Sequence, residues 1–249
     1  MQLIHIAPTK NLSDFANQPM MMFLTHLVLK DPEYREFARR YRGYKILDNS
    51  LIECGESLTI QDVCNAADMI GANEIILPDM YMDGVGTIAK TTIAYDWIRH
   101  NKSEEWIAAH KFMGVAQGKT EDEWVECYAK LMLLPYINVI GVPKNLAKVS
   151  PRGRADFETY WAYSSQVEAR DKEIHLLGLY YTFNELKQYE HPELIRSCDT
   201  CHLYFLAKHG MDFYDVRPDG HTVNLEKDDI KVPLYLVRSL EKLEASLEV

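Results

Sequence analysis

Acidic side chains follow three short apolar segments of the chain, each at the point where the segment ends. Asp48 ends ILD, Asp79 ends LPD and Asp199 lies in SCDT, while the amide of Gln117 ends a fourth segment, FMGVAQ. One aspartate in such a position can simply cap the helix that follows. Three of them with an amide favour a shared site, because carboxylates held close together are costly unless something uses them.

The elements that must position these residues follow from an alternating pattern. Eight short segments rich in Ile, Val and Leu are separated by longer amphipathic segments, which is typical of parallel strands covered by helices. The predicted strands span residues 3–7, 23–29, 45–50, 74–79, 112–117, 138–143, 173–178 and 194–200. The pattern predicts an α/β protein with a closed (β/α)8 TIM barrel. An open sheet is disfavoured, since no Gly-rich GxGxxG turn follows the first strand.

Helix signals agree with this pattern. Asp-Pro opens a predicted helix over residues 31–41, and Thr120 with Glu123 forms a capping box at the start of another. Apolar spacing predicts a helix over residues 59–70, and two shorter ones over 182–189 and 201–209. We expect one domain, with the barrel over residues 1–210. Residues 211–249 form a polar excursion and a closing helix at 232–247.

Active sites of such barrels lie at the C-terminal ends of the strands, where the three aspartates and Gln117 fall. No lysine ends a predicted strand, which disfavours Schiff-base chemistry. The strand ends also offer no histidine cluster for a catalytic metal.

Composition limits the function classes. The 249 residues, 47% of them hydrophobic, suit one barrel, and the five cysteines are expected to be reduced. The N-terminal segment carries no basic region before an apolar run, and no apolar stretch could span a bilayer. We therefore expect a cytoplasmic protein with no membrane contact. The formal net charge of −10 disfavours non-specific binding of nucleic acid, so such binding would need a local basic patch.

The order of motifs along residues 45–209 resembles that of the tRNA-guanine transglycosylases. The motifs are ILDNS, LPD, VAQGKTEDEW, VIGVPK, HLLGL and IRSCDT. The resemblance is closer to the short phage-type relatives, which insert 7-deazaguanines into DNA. It implies base exchange through a covalent aspartyl-glycosyl intermediate, with no cofactor, in the host-cell cytoplasm if a phage encodes the protein.

The resemblance also implies a role for each side chain. Asp199 would be the nucleophile that traps the sugar C1, and Asp48 the second catalytic aspartate, which handles the proton of the base. Asp79 would accept hydrogen bonds from guanine N1–H and the exocyclic amine. The remaining base-binding residues would be Gln117, Gly118 and the backbone N–H of Gly141. A ring-stacking side chain is expected as well, with Met80, Tyr81 and Met113 as candidates.

The sequence departs from the family pattern in three places. The usual DSGGFQ reads DNSLIE, and the double glycine after strand six reads GVP. The family's zinc site, three cysteines and a histidine near the C-terminus, is missing. Cys198, Cys201 and His202 supply only three potential ligands and overlap the expected nucleophile. We therefore expect no metal and favour DNA over tRNA as the substrate.

Basic residues cluster at one point near the expected active-site end. Lys144, Lys148, Arg152 and Arg154 follow strand six, where they either contact phosphates or form a solvated loop.

Three other hypotheses stay open: the same exchange on tRNA, a small-molecule lyase or hydrolase, and a non-catalytic partner subunit. The acidic balance favours the small-molecule enzyme, whereas the presence of all three aspartates argues against the inactive subunit. The sequence does not decide whether a partner protein or a homodimer is needed.

Overall fold

The computed structural model describes residues 1–150, 153–155, 172–179, 181–216, 218 and 222–247. In this part of the chain, eight parallel strands form one sheet. The strands are β1 (Gln2–His5), β2 (Met20–Leu24), β3 (Tyr44–Asp48), β4 (Glu74–Ile76), β5 (Lys111–Val115), β6 (Val139–Pro143), β7 (Glu173–Leu177) and β8 (Ser197–Thr200). Their order is β1-β8-β7-β6-β5-β4-β3-β2, and β1 and β2 at its two ends contact each other. The sheet is therefore a nearly closed barrel, which confirms the predicted fold class.

Side chains inside the barrel come from alternate strand positions. Met22 and Ile46 are register partners on β2 and β3, and both point inward with residues from the other side of the barrel. The inward apolar set is Ile4, Met22, Ile46, Ile76, Met113, Val115 and Val139. A larger cluster fills the space between the strands and the outer helices. Apolar side chains thus fill the barrel interior below the C-terminal ends of the strands.

Helices follow the strands, and five of the ten described α-helices begin with a side-chain cap. The described helices are α1 (Thr25–Lys30), α2 (Pro32–Arg40), α3 (Leu51–Cys54), α4 (Ile60–Ile70), α5 (Gly84–Asn101), α6 (Glu104–Ala109), α7 (Glu121–Leu133), α8 (Leu146–Val149), α9 (His202–His209) and α10 (Leu234–Leu247). Asp31, Thr59 and Thr120 accept hydrogen bonds from backbone N–H groups in the first turns of α2, α4 and α7. Those three helix starts match the prediction. The helix predicted over residues 182–189 is a shorter 3-10 helix over residues 183–187.

The predicted second strand was wrong in position. The sequence pattern placed it at residues 23–29, but β2 ends at Leu24 and α1 occupies most of that range. Short apolar runs do not distinguish a buried helix from a strand, and residues 25–28 are fully buried in α1. The shift matters for the site, because Thr25 Oγ1 donates to the backbone oxygen of Asp48 at 2.6 Å.

The sequence pattern did not predict five of the described helices, namely α1, α3, α5, α6 and α8. Helix α5 begins at Gly84-Val85-Gly86, and glycine disfavours helix, so the sequence signal there is weak. Asp83 starts this helix by accepting a hydrogen bond from Gly86 N at 2.8 Å.

The C-terminal helix belongs to the barrel. Leu236, Leu240, Leu243 and Leu247 of α10 are buried, and the N-terminal ammonium group of Met1 donates to Leu247 O at 3.1 Å. The predicted closing helix is therefore present and covers the end of β1. Within the part of the chain that the structure describes, no helix is both long enough and apolar enough to cross a membrane.

An ionic network closes the N-terminal end of the barrel. Arg196 binds both carboxylate oxygens of the fully buried Glu74, at 2.7 and 2.9 Å, and also binds Glu173 at 2.9 Å. A bidentate arginine–carboxylate pair fixes the guanidinium plane, so Arg196 is held rigidly just before β8.

Candidate active site

A cavity of about 420 Å³ opens at the C-terminal ends of the strands. Its floor includes Met22, Ile76 and Val115 from the barrel interior. Its polar wall brings together Asp48, Asp79, Gln117 and Asp199, which the sequence places on four separate strands or strand ends. This volume lies within the range of small-molecule sites.

Asp199 is held by donors on one side only. Its Oδ1 accepts hydrogen bonds from the backbone N–H of Gly178 at 2.9 Å and from His175 Nε2 at 3.0 Å. Among the described residues nothing donates to Oδ2. Gly178 adopts a φ of 67°, which favours glycine, and lies in the loop after β7. The carboxylate is thus fixed through one oxygen while the other remains available at the cavity wall.

Asp48 ends β3 at the start of a strained turn. Its Oδ2 accepts from Ser50 N at 2.7 Å, and Ser50 adopts a left-handed φ of 60°. The Ser50 hydroxyl contacts both His26 N and His26 Nδ1, which stabilises this conformation. Burial raises the pKa of Asp48 well above its usual 3.8, and the nearby carboxylates of Glu53, Asp199 and Asp79 raise it further. Asp48 therefore binds a proton more readily than an ordinary aspartate does.

Asp79 is surrounded by side-chain amides. Asn49 Nδ2 donates to Oδ1 and Gln117 Nε2 donates to Oδ2, both at 2.8 Å. Burial raises the pKa of Asp79, while these two hydrogen bonds oppose the shift. Each carboxylate oxygen can accept a second hydrogen bond, so the amides orient Asp79 without saturating it.

The orientation of Gln117 is fixed from its other end. Its Oε1 accepts from the backbone N–H of Met82 at 3.1 Å and from Asn145 Nδ2 at 3.0 Å. A backbone N–H can only donate, so the Gln117 oxygen must face Met82 and its nitrogen must face Asp79. Gln117 therefore acts on the site mainly by holding Asp79, in addition to lining the cavity.

The two predicted base-binding glycines are not on the cavity wall. Gly118 packs against the backbone of α7, where a Cβ atom would lie 2.4 Å from Trp124 N. Gly141 lies inside β6, and a Cβ there would meet Leu177 and Met113. Both glycines allow close packing in this structure, and the base-binding role expected for them stays a prediction.

Of the three candidates for ring stacking, Tyr81 lies on the cavity wall, and its hydroxyl lies 3.3 Å from Lys148 Nζ. Met113 is fully buried in the barrel interior, and Met80 is not part of the wall. Tyr81 is therefore the side chain positioned to stack on a ligand.

Sequence reasoning missed several wall residues. Glu53 adds a fourth carboxylate to the cavity, where its side chain is exposed. Asn49 and Asn145 supply the amides described above. His175, a residue of predicted strand seven, does not line the cavity but contacts Asp199 Oδ1. A signal for Asn49 was its position in DNS beside Asp48, but the contacts of the other three depend on the packing between strands.

The basic cluster divides between the cavity and the core. Lys144 and Lys148 are exposed and line the cavity, whereas Arg152 lies outside the described residues. Arg154 is buried: it forms an ion pair with Glu185 at 2.6 Å and donates to the backbone oxygens of Val142, Leu177 and Gly178. Its predicted contact with nucleic acid is therefore wrong, since its guanidinium group is used by the fold.

We expect Arg154→Met to lower the free energy of unfolding by about 3–5 kcal/mol, because it removes the cation from the buried ion pair between Arg154 and Glu185. Urea denaturation measures this change. The double variant Arg154→Met/Glu185→Met should recover part of the loss. A single variant as stable as the wild type would show that the pair contributes nothing to the fold.

Metal-ligating side chains are scattered. In the described ranges, no three His, Cys, Asp or Glu side chains are placed to hold a metal ion. Cys198 is fully buried, and burial raises the pKa of its thiol well above the usual 9.0. A comparison with protein-family models finds no family that matches this chain, and a search of curated proteins finds no relative.

Proposed function

We propose that the protein is a guanine transglycosylase that exchanges guanine in DNA for a 7-deazaguanine base. The observation that carries the proposal is the convergence of Asp48, Asp79 and Asp199 on one cavity, each in a different environment. Asp199 is held by two donors on one oxygen, Asp48 has a raised pKa, and Asp79 is held between two amides. The motif order described above supplies the chemical class.

In the first half-reaction, Asp199 Oδ2 attacks C1 of the sugar and forms an ester bond. The C1–N bond breaks, and its electron pair leaves with the guanine. Asp48 donates its proton to the departing base, which its raised pKa allows. In the second half-reaction the incoming base attacks C1, Asp48 takes up a proton from it, and the Asp199 carboxylate leaves.

The base would lie between Asp79 and Tyr81. Guanine and its 7-deaza analogues carry two parallel donors, N1–H and the exocyclic amine, on one edge. A carboxylate accepts both, and the amides of Asn49 and Gln117 hold it in position. The exposed Tyr81 ring would cover the face of the base.

A second candidate is the same bond cleavage on a small nucleoside or related metabolite. The burial of Arg154 favours it, since this removes one of the few cations available to bind a phosphate backbone, and the net charge is −10. Lys144 and Lys148 remain at the cavity mouth for contacts with DNA.

Incubation with labelled guanine and either duplex DNA, tRNA or free guanosine distinguishes these substrates. The proposal expects incorporation of label into DNA. Incorporation only into tRNA or into guanosine would reassign the substrate, and incorporation into none of the three would contradict base exchange.

We expect Asp79→Asn to weaken the binding of guanine by about 10–100-fold, because an amide in place of the carboxylate presents a donor to a donor on the base edge. Isothermal titration with guanine measures the change. Asp96→Asn, on the exposed face of α5, is the matched control and should bind as the wild type does. Unchanged affinity in Asp79→Asn would place the base elsewhere.

A further inference from the structure

A buried histidine below Asp199 has no role in the chemistry described so far. His175 on β7 and Ser197 on β8 are register partners, and both side chains are fully buried. His175 Nε2 lies 3.0 Å from Asp199 Oδ1, and its Nδ1 lies 2.8 Å from Ser197 Oγ. The imidazole therefore connects the serine to the carboxylate that faces the cavity.

Arg196 contacts the serine end of this hydrogen-bond chain. Its Nε donates to Ser197 Oγ at 3.2 Å, and an arginine can only donate. The serine oxygen accepts that hydrogen bond, so its own hydrogen is available for His175 Nδ1. Glu74 and Glu173 hold the Arg196 guanidinium in place at the N-terminal end of the barrel, where the hydrogen-bond chain begins.

The histidine then has one favourable tautomer. If Nδ1 carried the only proton, the bare Nε2 lone pair would face a carboxylate oxygen at 3.0 Å, which is repulsive. With the proton on Nε2, Nδ1 accepts from Ser197 and Nε2–H donates to Asp199. The hydrogen bond made by one ring nitrogen thus determines the state of the other.

We propose that His175, with its tautomer set by Ser197, is a positioning residue for Asp199. It acts together with the backbone N–H of Gly178. The two donors occupy Oδ1 and rotate the carboxylate so that Oδ2 faces the cavity. They also stabilise the negative charge that returns to Asp199 when the incoming base displaces it. This inference rests on the proposed function, because it assigns a task to the same nucleophile.

The first test is kinetic. His175→Leu removes the donor and should lower kcat for base exchange by about 10²-fold, the cost of a misplaced reacting group, with KM for the base unchanged because the base contacts Asp79. His175→Gln places an amide N–H near the position of Nε2 and should restore most of the rate. Ser197→Ala should lose less than His175→Leu. Ser150→Ala changes a buried serine outside the cavity wall and should have no effect.

The second test does not depend on activity. Nitrogen-15 NMR of the wild type should show His175 as the neutral Nε2–H tautomer, and Ser197→Ala should disturb it. Any other protonation state in the wild type would overturn the direction of the chain.

The two tests separate the two proposals. If the wild type exchanges base and His175→Leu keeps full kcat, the positioning role is wrong and the proposed function stands. If KM rises while kcat is unchanged, His175 serves binding, which also contradicts the inference. If the wild type exchanges no base on any substrate, the proposed function is wrong, and so is the inferred task of His175. The NMR result then still decides whether the hydrogen-bond chain exists.

Discussion

Replacing Asp199 by asparagine should lower the rate of base exchange by about 10⁴-fold or more, the order of loss seen when a catalytic group of a covalent mechanism is removed. An amide oxygen is a far weaker nucleophile than a carboxylate oxygen, and Asp199 Oδ2 accepts no hydrogen bond from the described residues, whereas Oδ1 is held by two donors. Single-turnover measurement of labelled guanine entering DNA gives the rate.

The asparagine variant should keep its fold, because the amide oxygen can still accept from Gly178 N and His175 Nε2. Its melting temperature therefore serves as the control, and guanine binding at Asp79 should persist. If the folded variant retains the wild-type rate, Asp199 does not form the covalent bond.

Replacing Asp48 by asparagine should lower the exchange rate by about 10²–10⁴-fold, the usual contribution of a general acid–base residue. The asparagine cannot give a proton to the leaving base or take one from the incoming base. The same variant should be more stable than the wild type near neutral pH, because it removes the cost of a buried carboxyl among other carboxylates.

The pH dependence of that stability follows from the raised pKa. The native protein keeps the Asp48 proton over a pH range in which the unfolded chain, with a pKa near 3.8, has already lost it. The stability contribution is therefore complete below about pH 4 and is lost as the pH rises through the native pKa. Thermal unfolding from pH 4 to 8 should show that the stability difference between Asp48→Asn and the wild type grows in favour of the variant as the pH rises. If this stability difference instead became smaller with rising pH, Asp48 would be ionised in the native state.

The sequence was sufficient to predict the barrel fold and to place the three aspartates at the C-terminal ends of its strands. Strand ends are marked by a change from apolar to polar residues, so Asp48, Asp79 and Asp199 could be assigned to one end of the barrel. The start of α4 was also predictable, because a threonine N-cap acts within one turn.

Contacts between distant strands could not be read from the same patterns. The burial of Arg154 against Glu185 depends on how the segment after β6 returns to the barrel, and a basic motif looks the same in either setting. Gly141 was assigned to the base by its motif, but its neighbours Leu177 and Met113 come from β7 and β5. The Ser197–His175–Asp199 chain likewise requires the register of β7 and β8.

The most direct test of the account is to trap the covalent intermediate. The wild-type protein is mixed with duplex DNA, quenched by denaturation, and digested for mass spectrometry of the peptides. The account predicts a deoxyribosyl ester on the peptide that contains Asp199, and no such adduct in Asp199→Asn. Base exchange without any adduct, or an adduct on Asp48 or Glu53 in its place, would contradict the assignment of Asp199 as the nucleophile.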